Sequence, residues 1–433
     1  MLKRKIYDKL VEWKKTKKNE CLLIKGARQI GKTYIIREFG EKQYKSFVEI
    51  NFVTNPEYKQ IFDEALDAQT IYKKISLLVP NVKFVEKSTL IFFDEIQDCP
   101  NARTALKFLA IDNKYDVIAS GSLLGIHYKE ITSIPVGYER QMEMYSLDFE
   151  EYLWAIGKSE QAIKYLKEYF VSREKIPTAI NDEYLSLLRE YAAVGGMPEV
   201  VNEFIKTNSF QAANAVQTKI LQSYKDDINK YASSVDRQKI ADCYNSIPRQ
   251  LAKEYKKFQY KTVDKEGSAK KYESSLEWLI DAGMIKKCTN VSLPQIPLVA
   301  YEKVEQFKVY VTDIGLLTNM YGFTTQSMIV SNKLVGPAKG GIYENLIFDI
   351  LTKLGCKLYY YKNERNTQEI EFLIEQNENV VPIEVKSGNG ASVSLNTFIE
   401  EFKPDVAYKL VMGNTGVVGT KVTLPLYLAL FIC

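Results

Sequence analysis

The stretch Gly26-Ala-Arg-Gln-Ile-Gly-Lys-Thr33 sets two glycines five residues apart and follows the second with a lysine and a threonine. Glycines at Gly26 and Gly31 let the backbone curl so that successive N–H groups surround a phosphate. A helix opening at the second glycine adds the positive end of its dipole. In this pattern Lys32 reaches the β and γ phosphates and the Thr33 hydroxyl meets Mg²⁺, while Arg28, inside the loop, has phosphate within reach. A second stretch, Leu90-Ile-Phe-Phe-Asp94-Glu95, delivers two acids at the end of an apolar run. Ligands of parallel sheets bind at that end of the strands. Asp94 is expected to hold Mg²⁺ through water, and Glu95 to polarise an attacking water. In Val117-Ile-Ala-Ser-Gly-Ser122, Ser120 and Ser122 are candidates for a contact to the γ-phosphate or that water. The chemistry these residues point to is ATP hydrolysis with Mg²⁺.

A second group of acids lies near the other end. Glu369-Ile-Glu371-Phe-Leu-Ile alternates as a strand, and Val381-Pro-Ile-Glu384-Val-Lys386 follows after a turn. Residues two apart share one face of a strand, so Glu384 and Lys386 point together. In the preceding helix Glu344 shares a stripe with Ile347 and Leu351 at i+3 and i+7, an inward position for a carboxylate.

The elements that must hold these groups follow from periodicity. Apolar runs at residues 21–25, 47–52, 90–93, 116–119 and 142–147 alternate with helical stretches, the pattern of a parallel α/β sheet. From about residue 149 to 230 the pattern is helical, interrupted by Val194-Gly-Gly-Met-Pro198. Residues 236–312 read as three helices followed by two short strands, 284–288 and 308–312. From Gly340 a helix precedes three strands. The chain has 433 residues, a length that suggests about three domains at roughly 150 residues each. With 46% hydrophobic and 26% charged residues it is an ordinary globular composition, which excludes wholesale disorder. A net charge of +4 is too small to dictate a nucleic-acid or membrane partner. The single histidine, His127, reads as a structural or surface residue. The six cysteines have no C-x-x-C spacing and read as free thiols in a reducing cytosol. The N-terminus lacks an apolar leader, and the longest apolar run, near 422–433, is too short to span a bilayer. The expected location is cytoplasmic, with no membrane partner.

GARQIGKT, LIFFDEIQ, ASGSLLGI, MYSLDFEEYL, GGMPEVV and FKVYVTDIGLL together resemble the AAA-type P-loop ATPases of bacteria and archaea that carry a C-terminal domain of uncharacterised function. The resemblance spans nearly the whole chain. It implies ATP binding by Gly26, Gly31, Lys32 and Thr33, Mg²⁺ coordination through Asp94 and water activation by Glu95. It also implies a sheet in which the Ser120 strand lies between the P-loop and Asp94 strands. Such ATPases complete the site with an arginine finger. Arg28, Arg103 and Arg140 are the candidates, each also read as a surface salt bridge.

Acid, acid and E-x-K in this order resemble the PD-(D/E)xK nuclease fold. In that family the acids bind Mg²⁺ and the lysine steers water, which assigns Glu344, Glu371, Glu384 and Lys386. Glu371 stands where the family has aspartate. The extra methylene displaces the carboxylate, and a shift near 1 Å can cost about a hundredfold in rate. The expectation is weak or absent cutting.

Residues 236–312 resemble a winged helix. Between Arg249 and Lys271 eight basic residues face three acids, with Tyr255, Phe258, Tyr260 and Tyr272 interleaved. A helix over 268–281, with Lys270 and Lys271 near its start, would serve as recognition helix for DNA phosphates; a protein interface is the alternative. The expected architecture is a P-loop ATPase core of the ASCE/AAA type (1–148), a helical lid (149–235), a winged helix (236–325) and a restriction-endonuclease-like α/β domain (326–433). The expected function is a nucleotide-driven switch acting on DNA. The alternatives are a nucleotide-gated module for self-association or a protein partner, with a degenerate nuclease-like domain, and an active Mg²⁺-dependent nuclease.

Overall fold

A computed structural model describes residues 2–122, 137–365, 367–388 and 392–433. His127 lies outside the described residues. The chain divides into two compact units, one of residues 4–146 with 281–283, the other of residues 147–280 and 284–433 with Leu2 and Lys3.

In the first unit helices α1 (Lys5–Thr16), α2 (Lys32–Gln43), α3 (Ala68–Leu78) and α4 (Pro100–Asp112) accompany strands β1 (Cys21–Lys25), β2 (Ser46–Asn51), β3 (Thr89–Asp94), β4 (Asp116–Gly121) and β5 (Glu139–Glu143). Every residue of β3 and β4 is buried. Such unbroken apolar runs belong to parallel strands covered on both faces. The order is β2-β3-β4-β1-β5, so the Ser120 strand lies between the other two, as the resemblance implied. Leu22 pairs with Ile118, Phe92 also pairs with Ile118, and Asn51 pairs with Asp94, all in parallel. Phe52, Phe62 and Phe93 pack against one another beneath the sheet, with ring centroids 5.4–6.1 Å apart.

The fifth strand corrects its expected place at 142–147. It ends at Glu143, because it is an edge strand of mostly polar residues, Glu-Arg-Gln-Met-Glu. The apolar Met144 and Leu147 beyond it are buried as chain leaving the sheet, and hydrophobicity registers burial there rather than strand.

The second unit contains helices α5 (Phe149–Ala155), α6 (Glu160–Ser172), α7 (Thr178–Val194), α8 (Pro198–Thr207) and α9 (Phe210–Tyr231). An Asp148–Glu151 capping box starts α5, as the acids of the MYSLDFEEYL run allow. Next come α10 (Arg237–Leu251), α11 (Tyr260–Val263), α12 (Ala269–Asp281) and strands β6 (Ile285–Val291) and β7 (Glu302–Val311). Then follow α13 (Ile314–Met320), α14 (Phe323–Val330), α15 (Pro337–Lys353), β8 (Tyr359–Lys362), β9 (Glu369–Gln376), β10 (Asn379–Lys386), α16 (Val393–Phe402), β11 (Ala407–Val411), β12 (Gly416–Val418) and β13 (Lys421–Pro425). One mixed sheet runs β12-β13-β11-β10-β9-β8-β6-β7. The two strands that follow α12 are therefore continuous with the C-terminal strands, through Thr289–Val291 beside Tyr359–Tyr361.

Three quoted motifs meet in this unit. Leu147 N–H donates to Gly196 O at 2.7 Å, and Gly196 N–H donates to Asp313 Oδ2 at 2.9 Å. A Cβ at Gly196 would come within 2.0 Å of Leu147 O, which explains the glycine.

Helix α15 is buried on every face from Gly341 to Leu351, not along one stripe. It lies among β7, β10, α10 and α13, so no side of its middle meets water. The expectation of six free thiols is corrected as well: Cys356 and Cys433 form a disulfide with Cα atoms 6.1 Å apart, and Cys21, Cys99, Cys243 and Cys288 are free and buried. The pair lies far apart in sequence, and only the folded sheet brings its two segments together. Among the described residues no helix is long and apolar enough to cross a membrane.

Candidate functional site

The phosphate loop joins β1 to α2. Gly26 has φ +151°, and a Cβ there would lie 2.2 Å from Met144 O. Gly31, φ +92°, caps α2 in the left-handed region that glycine adopts without strain. The loop has a brace that the sequence did not reveal: Arg4 donates to Ile30 O at 3.1 Å and to Tyr145 O at 2.6 Å. Lys32 is folded back over the loop, its Nζ donating to Gly26 O at 2.9 Å and Ala27 O at 2.7 Å. Burial pushes its ammonium down to about 8, against the carboxylates of Glu95 and Asp94, with Arg28 pushing the same way as burial.

Asp94 is the hub of the site. Its Oδ2 accepts from Thr33 Oγ1 at 2.9 Å and from Asn51 Nδ2 at 3.0 Å, and its Oδ1 accepts from Ser120 Oγ at 2.5 Å. Burial raises its carboxyl above the usual range, opposed by the Ser120 and Thr33 hydroxyls. Asn51 escaped the sequence reading. Its signal was topological, since the strand pairing sets it opposite Asp94. Glu95 has a left-handed backbone, φ +52°. Its Oε2 accepts from Gln97 Nε2 at 2.6 Å and lies 3.5 Å from Ser122 Oγ. Gly26, Gly31, Lys32, Thr33, Asp94, Glu95 and Ser120 thus converge. Ser120, fully buried, spends its hydroxyl on Asp94, and Ser122 is the serine that reaches Glu95.

The arginines part company. Arg28 is half-buried in the loop. Arg140 pairs with Glu20 at 2.7 Å, half-exposed, as a surface salt bridge. Arg103 does not: it is 1% exposed and pairs with Glu139 at 2.9 Å, because α4 packs its base against β5.

The second cluster lies on the mixed sheet. Lys386 Nζ is 3.2 Å from Glu384 Oε1 and 3.6 Å from Glu371 Oε1, and Val385 N–H donates to Glu371 Oε2 at 3.3 Å. Glu344 is turned to other partners. Its Oε1 accepts from Lys308 at 2.8 Å and Tyr310 OH at 2.6 Å, and its Oε2 from Lys256 at 3.0 Å. Lys308 also meets Glu369 Oε1 at 2.7 Å, and Lys362 lies 3.4 Å from Glu369 Oε2. Burial would raise Glu344, but Lys256 and Lys308 outweigh it and hold the carboxyl well below the usual range. Glu371 goes the other way: burial, with Glu344 and Glu384 nearby, raises it despite Lys386 and Lys308. Lys308, Lys256, Tyr310 and Glu369 were not singled out for this site. Lys308 and Tyr310 alternate on β7, a signal legible only once β7 is known to join this sheet. Among the described residues no group of three or more His, Cys, Asp or Glu side chains is arranged to hold a metal ion.

Comparison with known proteins matches residues 18–153 to an AAA domain, residues 185–327 to a domain of unknown function (DUF8612) and residues 339–428 to a domain of unknown function (DUF4143). No curated protein matches. Among solved structures the chain is similar to the Walker-type ATPase of Pyrococcus abyssi, at 14% identity over 74% of this chain and 96% of that one, TM-score 0.41. It is also similar to the ORC1 protein of Aeropyrum pernix in complex with DNA (10% identity, 76% and 91% of the chains, TM-score 0.29). A third is the AMPPCP-bound DnaA of Aquifex aeolicus (13% identity, 64% and 86%, TM-score 0.28). Residues 18–153 are thus similar to an AAA domain.

Proposed function

We propose that this chain binds and hydrolyses ATP and uses the cycle as a switch on DNA. The observation that carries the first part is the 2.9 Å bond between the Thr33 hydroxyl and Asp94, at the mouth of a loop that only glycine can form. Gly26, Arg28, Gly31, Lys32 and Thr33 cradle the phosphates. Thr33 and Asp94 are all-oxygen donors, which suits Mg²⁺. When bound with the nucleotide, the metal would neutralise charge on the phosphate oxygens. Lys32 leaves the carbonyls of Gly26 and Ala27 and neutralises the terminal phosphates. Glu95 takes the proton of the attacking water, and Gln97 and Ser122 hold its carboxylate in place. Ser120 fixes Asp94 and supports the site through it.

For the second part, residues 236–325 act as a winged helix and 149–235 as a helical lid, with the core at 1–148 and a nuclease-like fold at 326–433. Arg249, Lys257, Lys261, Lys265 and Lys270 are exposed, and basic side chains open to solvent in this segment support phosphate binding. The same segment suits an acidic protein or a second copy of the chain, and metal-dependent cleavage by the C-terminal acids is the remaining alternative. The setting is the cytoplasm. The test is calorimetric titration of ATP with Mg²⁺ into wild type and Lys32→Ala, followed by turnover with and without duplex DNA. Equal affinity in the two proteins would remove the nucleotide reading. Turnover indifferent to DNA would remove the switch on DNA.

A further inference from the structure

The acids of the C-terminal sheet belong to a set that, in nuclease-like folds, gathers around a divalent metal. Their partners here are of another kind. Glu344 (2% exposed) has both carboxylate oxygens taken: Lys308 and Tyr310 at Oε1, Lys256 at Oε2. Glu369 is bracketed by Lys308 and Lys362, and Glu371 and Glu384 by Lys386. Four carboxylates are thus matched by four ammonium groups. Lys308 is itself fully buried, and it meets Glu344 and Glu369 at 2.8 and 2.7 Å. Mg²⁺ needs oxygens at about 2.0–2.1 Å in near-octahedral array. A metal among these acids would have to displace bonds to Glu344 and sit beside a fixed ammonium, where like charge repels it.

We propose that Lys308 is a built-in cation: its ammonium, delivered by β7, takes the place of a divalent metal between Glu344 and Glu369, and the cluster, Glu371 included, holds no metal. Because β7 follows α12 and the lysine of the α10–α11 connection, Lys256, also binds Glu344, the same bonds tie the helical segment to the C-terminal sheet. The inference does not depend on nucleotide binding at the P-loop.

The test is Mn²⁺ titration of the full-length, nucleotide-free chain, with free Mn²⁺ read by electron paramagnetic resonance and folding by circular dichroism. Wild type is expected to show no site that Glu371→Gln removes. Lys308→Met is expected to gain one site, at least tenfold tighter than any in wild type, and adding Glu344→Gln should abolish it. Lys308→Met leaves buried carboxylates short of a partner, so a second variant, Lys308→Met with Glu369→Gln, removes one charge of each sign and is expected to gain the site as well. A wild-type Mn²⁺ site lost in Glu371→Gln overturns the proposal, as does a folded Lys308 variant that gains none. If neither variant folds, the wild-type comparison decides alone.

Discussion

The setting of Lys32 makes its proposed role on the phosphates pH-dependent. Burial holds its ammonium at about 8, below the ordinary lysine value of 10.5. Only the charged form neutralises phosphate, so affinity must fall as pH rises through that value. ATP affinity should therefore drop by about tenfold between pH 7 and pH 9, with proton uptake on binding visible by calorimetry in buffers of different ionisation enthalpy. A flat profile would show that Lys32 does not contact the nucleotide. Glu95 separates binding from chemistry. Glu95→Gln keeps the shape and loses the base, so ATP should still bind while turnover falls by roughly 10²–10⁴. Undiminished phosphate release would mean another residue orients the water. Lys32, Thr33, Asp94 and Glu95 were legible because each sits at a fixed offset in a short motif. Asn51 and Arg4 were not, because strand pairing and loop packing, rather than spacing, bring them in.

At the scale of elements the basic segment divides in two. Lys253 bonds Gln259 and Thr262, Lys256 bonds Glu344, and Lys271 pairs with Asp264. These three have partners within the chain. Arg249, Lys257, Lys261, Lys265 and Lys270 remain exposed. On duplex DNA each phosphate contact contributes about −0.9 to the slope of log affinity against log salt. Lys257→Ala with Lys270→Ala should flatten that slope, whereas Lys271→Ala should leave it nearly unchanged; fluorescence anisotropy across a salt series measures both. Absence of duplex binding at low salt would give this segment to a protein partner. Counting basic residues in the sequence treats all eight alike, because charge is visible there and its partners are not.

Across the whole chain, the mixed sheet joins strands from 285 to 425. The Cys356–Cys433 bond closes 77 residues of it. Constraining the unfolded chain over such a loop stabilises by about 2–4 kcal/mol. Urea denaturation of the full chain with and without dithiothreitol should show a loss of that order on reduction. Identical curves, with two additional thiols titrating in the untreated protein, would show the pair to be reduced.

The candidate nucleotide site was legible in the chain alone, because a glycine loop, a lysine, a hydroxyl and a strand-end carboxylate carry their geometry in local backbone and spacing. The β3-β4-β1 order at the centre of the first sheet was legible as well, through buried apolar runs and the resemblance their motifs support. The E-x-K pair was legible from strand alternation alone. What surrounds that pair was decided only by tertiary structure. Lys308 reaches Glu344 across 36 residues of chain and Lys256 reaches it from an exposed-looking basic run. Neither pairing has a local signature, since an ion pair between distant elements is set by which strands share a sheet. Arg103 and the Cys356–Cys433 pair belong to the same class. Their sequence neighbourhoods suggested a surface charge and free thiols, and long-range packing gave Arg103 a buried partner in Glu139 and joined Cys356 to Cys433.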